Sequence, residues 1–206
     1  LVWEGRSQVG RPNRPTPLLQ SQITHFTFNP TWTVPPTILH KDKLPEIRED
    51  LSFIERNRFR VLDQDGNELV PEEIDWSAPG NITLRQDAGP GNALGQVAIR
   101  FPNPFSVYLH DTPSKGLFAR DRRATSSGCV RVENAMTLVE HLLADAGDLD
   151  AKRARELLDS GRTRRVNLVT PVPVQLAYWT VAVGEDGEPM FRPDIYGLDT
   201  RVTKAL

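Results

Sequence analysis

The sequence predicts a mainly β chain carrying a few helices, an α+β fold, and three observations point to it. Seventeen prolines among 206 residues favour loops, sheet edges and short strands, because proline fixes φ and has no amide hydrogen to donate. Short apolar runs bounded by Gly, Pro, Asn and Asp recur along most of the chain. Punctuated helical stretches are few. A hydrophobic fraction of 38% is enough for a core. The length suits one domain, or one domain with an insertion.

In chain order, residues 1–17 are rich in Gly, Pro and Arg and read as a peripheral entry strand and loop. Residues 23–28 alternate as a strand, with Thr24, Phe26 and Phe28 on one face. The segment Asn29-Pro30-Thr31-Trp32-Thr33-Val34-Pro35-Pro36 must be extended and stiff, since each proline also restricts its predecessor. Leu44, Ile47, Leu51 and Ile54 then share one helical face, with Asp42 placed to cap its start. Residues 59–62 read as a strand and Asp65-Gly66 as a tight turn. This helix–strand unit, residues 40–76, reads as an insertion. Gly89-Pro90-Gly91-Asn92 marks another turn. Strands are expected at 96–101 and 105–109, broken by Pro102-Asn103-Pro104. Ala135, Leu138, Val139, Leu142 and Leu143 form the apolar stripe of a helix that Gly147 can stop. A shorter helix is expected at 150–161. Strands follow at 166–169 and 174–183, then the turn Glu185-Asp186-Gly187 and a strand at 189–192.

Composition excludes several function classes. The net charge is −2, with no basic block, so no nucleic-acid footprint is indicated. No apolar run approaches the roughly 20 residues that span a bilayer. The four His and one Cys show no metal-ligand spacing, and Gly89-Pro90-Gly91 lacks the Lys-Ser/Thr of a phosphate loop. There is no internal repeat. The chain begins at Leu1 and reads as an excised fragment.

One cysteine cannot form an intramolecular disulfide. Cys129 follows Gly128 in Ser126-Ser127-Gly128-Cys129-Val130-Arg131, nineteen positions after His110 in Tyr108-Leu109-His110-Asp111-Thr112-Pro113. A thiol attacks an acyl carbon as thiolate, and a neighbouring imidazole can take its proton. Backbone amides at Ser127, Gly128 and Cys129, read as lying just ahead of a helix, can face a developing oxyanion. His110 ends an apolar run and leads into a loop, where catalytic groups are commonly presented. His25, His40 and His141 read as structural. Spacing alone does not separate a nucleophile–base pair from an inert cysteine and an unrelated histidine.

Tyr108-Leu109-His110-Asp111-Thr112-Pro113 followed by Ser126-Ser127-Gly128-Cys129-Val130-Arg131-Val132 resembles the signature of the L,D-transpeptidase (YkuD) family, in which a His precedes a [Ser/Thr]-x-Gly-Cys segment. The 29–36 block, Gly91-Asn92-Ala93-Leu94-Gly95 and Phe191-Arg192-Pro193-Asp194-Ile195-Tyr196-Gly197 look like the larger Gram-negative periplasmic branch, which makes direct 3→3 cross-links in peptidoglycan. The resemblance implies a β-sandwich or barrel with packed helices, in which residues 40–76 form a mobile capping subdomain over the substrate groove. It implies that Cys129 attacks the bond between the L-centre of diaminopimelate and D-Ala in a tetrapeptide stem, with His110 as base. The thioester then passes to the diaminopimelate amine of a second stem. No cofactor is needed, and carbapenem β-lactams are expected to acylate Cys129. A periplasmic location is expected.

The commonest form of the motif has His where this chain has Ser127, which can still donate from its hydroxyl and its amide. Arg131 can bind a substrate carboxylate or form a structural salt bridge. Tyr108 can line the groove or pack in the core, Asp111 can orient His110, and Ser126 sits in the same motif within reach of substrate. The rivals are a hydrolase of the same family, a silent peptidoglycan-binding domain, and a structural β-domain with an inert thiol. An activated thiol is expected to alkylate below the pH a normal one requires.

Overall fold

The computed structural model of the chain describes residues 2–146, 151–184 and 186–200. In chain order, β1 (Ser7–Gly10) and β2 (Leu19–Phe28) are followed by β3 (Trp32–Thr33), β4 (Phe59–Leu62), β5 (Glu68–Leu69) and β6 (Thr83–Gln86). Then come β7 (Val97–Arg100), β8 (Leu109–His110), β9 (Ala124–Ser126), β10 (Val130–Val132), β11 (Arg164–Leu176), β12 (Val181–Val183) and β13 (Pro189–Phe191). The helices are α1 (Pro36–Ile38), α2 (Leu44–Glu49), α3 (Phe53–Arg56), α4 (Ala135–Ala146) and α5 (Ala151–Asp159), with a wider π-type turn at Leu39–Lys43. The chain is therefore mixed α+β, as its sequence predicts.

Seven strands form the main sheet in the order β11-β2-β7-β8-β10-β1-β9. Phe26 and Phe28 of β2, with Val97 and Ile99 of β7, pack against Val139 and Leu143 of α4 and Ala154 of α5. Each fully buried Phe here removes apolar area worth about 1.5–3 kcal/mol. The predicted stripe of α4 holds: Ala135, Val139 and Leu143 are buried, and Leu138 and Leu142 pack beside them. His141 is exposed. The proposed stop at Gly147, the helix start at Asp150 and the turn residue Glu185 lie outside the described residues.

Several elements differ from expectation. Residues 1–17 are not peripheral: β1 lies inside the sheet between β10 and β9, and its Gln8 is fully buried. The two strands expected within 166–183 are one long strand, β11, with an irregular register between Asn167 and Val172, followed by the separate β12. Pro171 and Pro173 are tolerated because β11 is an edge strand. The strand expected at 105–109 shrinks to Leu109–His110. Asn103 accepts from the Phe105 and Val107 amides and donates to the carbonyls of Phe101 and Val107, and this local network holds a loop instead.

A four-stranded sheet, β3-β6-β4-β5, carries a second core of Val34, Leu39, Leu44, Ile47, Ile54, Phe59, Val61 and Leu84. Its strands run from Trp32 to Gln86, a wider unit than residues 40–76. The single helix expected over 44–54 is broken. Asp50 adopts φ −150° and ends α2, and its carboxylate accepts from the Ser52 amide and hydroxyl. The four apolar residues still face one core. Asp42 does not cap α2, because it lies inside the π-type turn and its carboxylate is engaged elsewhere.

Candidate active site

His110 is the last residue of β8, held between β7 and β10 by the registers Ala98↔His110 and Arg131↔His110. The residue is 4% exposed. Nδ1 donates to the main-chain carbonyl of Asp111 at 2.5 Å. A carbonyl can only accept, so Nδ1 carries the hydrogen and Nε2 is left as the basic nitrogen. Burial is the main reason that the imidazole pKa falls to about 4, so near neutral pH the ring is an uncharged proton acceptor.

Cys129 lies just before β10 and is half-buried. It lines the same cavity as His110, of about 690 Å³, together with Tyr108, Ser126, Ser127 and Arg131. The Tyr108 backbone, Arg100 and Arg131 favour the thiolate, but burial outweighs them and pushes the thiol pKa up. The resting pair is therefore neutral thiol and neutral imidazole. Burial of Cys129 thus works against alkylation below the pH a normal thiol requires. A cavity of about 1290 Å³ lies elsewhere, lined by Arg6, Ser7, Arg122 and Trp179 among others. It contains neither Cys129 nor His110.

Ser126 shapes the turn ahead of Cys129. Buried, it donates from Oγ to the Cys129 carbonyl at 2.5 Å and accepts from the Gly128 amide at 3.1 Å. The Gly128 amide is thus committed internally. The amides of Ser127 and Cys129 have no acceptor among the described residues, so both are left free to donate. Gly128 has φ +120°, while a Cβ there would meet its nearest neighbour only at 3.6 Å. Backbone conformation rather than crowding calls for glycine. The expectation that these amides sit just ahead of a helix is also corrected, since β10 separates Cys129 from α4.

The remaining predicted residues divide. The Tyr108 ring lies under Arg100, 3.6 Å from its guanidinium carbon, and 5.6 Å from the His110 ring. It lines the cavity, and burial pushes its phenol up to about 12. Arg131 has no ion pair among the described residues: Nη1 donates to Gln8 Oε1 at 3.1 Å, and its buried Nε has no partner. A cation held this way suits an incoming carboxylate. Asp111 is the exception. Its carboxylate accepts from the Gln96 amide at 2.9 Å and pairs with Lys115, lying so close over Gly95 that a Cβ there would sit 2.4 Å from it. Asp111 orients His110 through its carbonyl, and its side chain does not line the cavity.

Sequence reasoning missed Trp32, Arg11, Arg14 and Asp42, which also line this cavity. The stiff proline-flanked segment holding Trp32 was its one available signal. The arginines approach only through space.

A family model described as the L,D-transpeptidase catalytic domain (YkuD) matches residues 1–174. The whole chain is 37% identical to a Haemophilus influenzae protein named "Putative L,D-transpeptidase", and spans 42% of that relative's length. The chain belongs to the YkuD family of L,D-transpeptidase catalytic domains.

Proposed function

We propose that this chain is a peptidoglycan L,D-transpeptidase of the periplasm, using Cys129 as nucleophile and His110 as base. The observation that carries the reading is a buried, Nδ1-anchored imidazole sharing one cavity with the only cysteine. Cys129 Sγ attacks the carbonyl carbon joining diaminopimelate to the terminal D-Ala of a tetrapeptide stem, while His110 Nε2 takes the thiol proton. The Ser127 and Cys129 amides receive the oxyanion. The C–N bond breaks, and the proton passes from His110 to the leaving amine of D-Ala. A thioester remains. The diaminopimelate side-chain amine of a second stem attacks it and gives a proton to His110. The C–S bond breaks, the sulfur is reprotonated, and a 3→3 cross-link results.

Arg131 anchors a stem-peptide carboxylate, and Tyr108 and Trp32 form walls of the groove. The neutral resting pair fits a thiol that loses its proton only as the carbonyl arrives, when water has been displaced. Carbapenems carry a strained acyl group to the same sulfur and act as covalent inhibitors. Intact-mass measurement after incubation with a carbapenem tests the assignment. One adduct per native chain, none on Cys129→Ala and slowed addition on His110→Ala are expected. Equal adduct on Cys129→Ala would remove the nucleophile from the account.

A further inference from the structure

The loop joining β1 to β2 reaches across to the turn ahead of Cys129 at three consecutive residues. The Arg11 amide donates to the Ser126 carbonyl at 3.0 Å. Arg11 Nη2 and Arg14 Nη1 donate to Ser127 Oγ at 3.2 and 3.0 Å. Thr16 Oγ1 donates to the Gly128 carbonyl at 2.9 Å. The loop is itself fixed from the far end of the chain, where Tyr196 donates to the Gly10 carbonyl at 2.7 Å.

Arg14 has a second partner. Its guanidinium forks onto Asp42, with Nη1 to Oδ2 at 2.5 Å and Nη2 to Oδ1 at 3.0 Å. Its side chain is only 16% exposed, so the pair is better shielded than a surface ion pair. The hydrogen bond from Arg14 is the main reason that the Asp42 carboxyl pKa falls below its ordinary value. Asp42 lies in the π-type turn of the inserted unit, a helical irregularity often found at functional sites. One guanidinium nitrogen, Arg14 Nη1, therefore touches the insertion and the nucleophile turn together.

We propose that Arg14 is a positioning residue for the Ser127–Cys129 turn, and that Asp42 sets its grip, so that the placement of the insertion is transmitted to Ser127. A guanidinium fork can satisfy a carboxylate and a hydroxyl at fixed angles. Without Asp42, Arg14 is free to reorient and its bond to Ser127 weakens. The turn loosens, and Cys129 becomes more accessible. Ser127, standing where the family motif usually has His, is the hydroxyl that receives this grip.

The proposal rests on Cys129 being the nucleophile, and the test separates the two. Alkylation of Cys129 by iodoacetamide needs a thiol but no turnover. Its rate is compared among the native chain, Asp42→Asn, Arg14→Lys, Ser127→Ala and the two doubles containing Ser127→Ala. Thermal melts of each chain report whether the fold is intact. Lysine keeps the charge but cannot fork. Asp42→Asn and Arg14→Lys are each expected to speed alkylation by about threefold or more when Ser127 is present. Neither is expected to do so when Ser127 is absent, because residues sharing one network are non-additive. A general loss of packing would speed both backgrounds equally. Unchanged rates in the single variants, or equal acceleration with and without Ser127, would overturn the proposal. Carbapenem acylation of the native chain, run alongside, reports on the nucleophile itself.

Discussion

Lowering the pH should weaken this fold through His110, and the size of the loss follows from its burial. The folded imidazole has its pKa lowered from 6.5 to about 4, whereas the unfolded chain keeps the ordinary value. Above pH 6.5 both states are neutral and His110 contributes no pH dependence. As the pH falls from about 6.5 to about 4, the unfolded state takes up a proton that the folded state refuses. Stability is therefore lost over that window and levels off below it. The difference of about 2.5 pKa units corresponds to about 3 kcal/mol at 1.36 kcal/mol per unit. That is a large part of the 5–15 kcal/mol typical of a domain. His110→Asn supplies the control, since its amide can donate to the Asp111 carbonyl but does not titrate. Urea unfolding of both chains at pH 7, 5.5 and 4 reads the effect. The stability difference between them should shift by about 3 kcal/mol towards the variant between pH 7 and pH 4. A difference that stays constant with pH would refute a neutral, buried His110.

Three further outcomes are expected. In the absence of substrate, the pH midpoint for alkylation of Cys129 should lie above that of free cysteine measured in parallel, because burial pushes the thiol up; a lower midpoint would show a preformed thiolate–imidazolium pair. Ser126→Ala strands the Gly128 amide and the Cys129 carbonyl, so it should cost about 1–3 kcal/mol in urea unfolding; a variant as stable as the native chain would contradict that network. Arg131→Met should leave stability equal or higher, since it removes a buried cation without an ion-pair partner among the described residues, while KM for a tetrapeptide stem rises about 10–100-fold; an unchanged KM would remove Arg131 from substrate binding.

Much of this was legible in the sequence, and what was not has identifiable causes. The α4 stripe and the Phe26–Phe28 face were readable because burial on one face leaves a period in the sequence. His110 and Cys129 stood out through residue type and family resemblance. β1 was misread because an Arg, Gly and Pro-rich segment looks like a tail. Only the sheet reveals that Gln8 is buried, where it accepts hydrogen bonds from Thr125 and Arg131. The break at Asp50 was hidden because the apolar spacing continues through it. The fate of the Gly128 amide depends on the Ser126 rotamer, and the direction of the Cys129 shift depends on three-dimensional burial. Neither leaves a mark on composition or spacing. Arg11, Arg14 and Asp42 belong to segments that meet Ser127 only in the folded chain.

The most direct test of the account is time-resolved intact-mass measurement on the chain mixed with a disaccharide-tetrapeptide stem. The account predicts a tripeptidyl adduct on Cys129, formed with release of D-Ala, absent from Cys129→Ala and decaying to cross-linked dimer. No adduct and no dimer on the native chain, or an adduct persisting in Cys129→Ala, would contradict it.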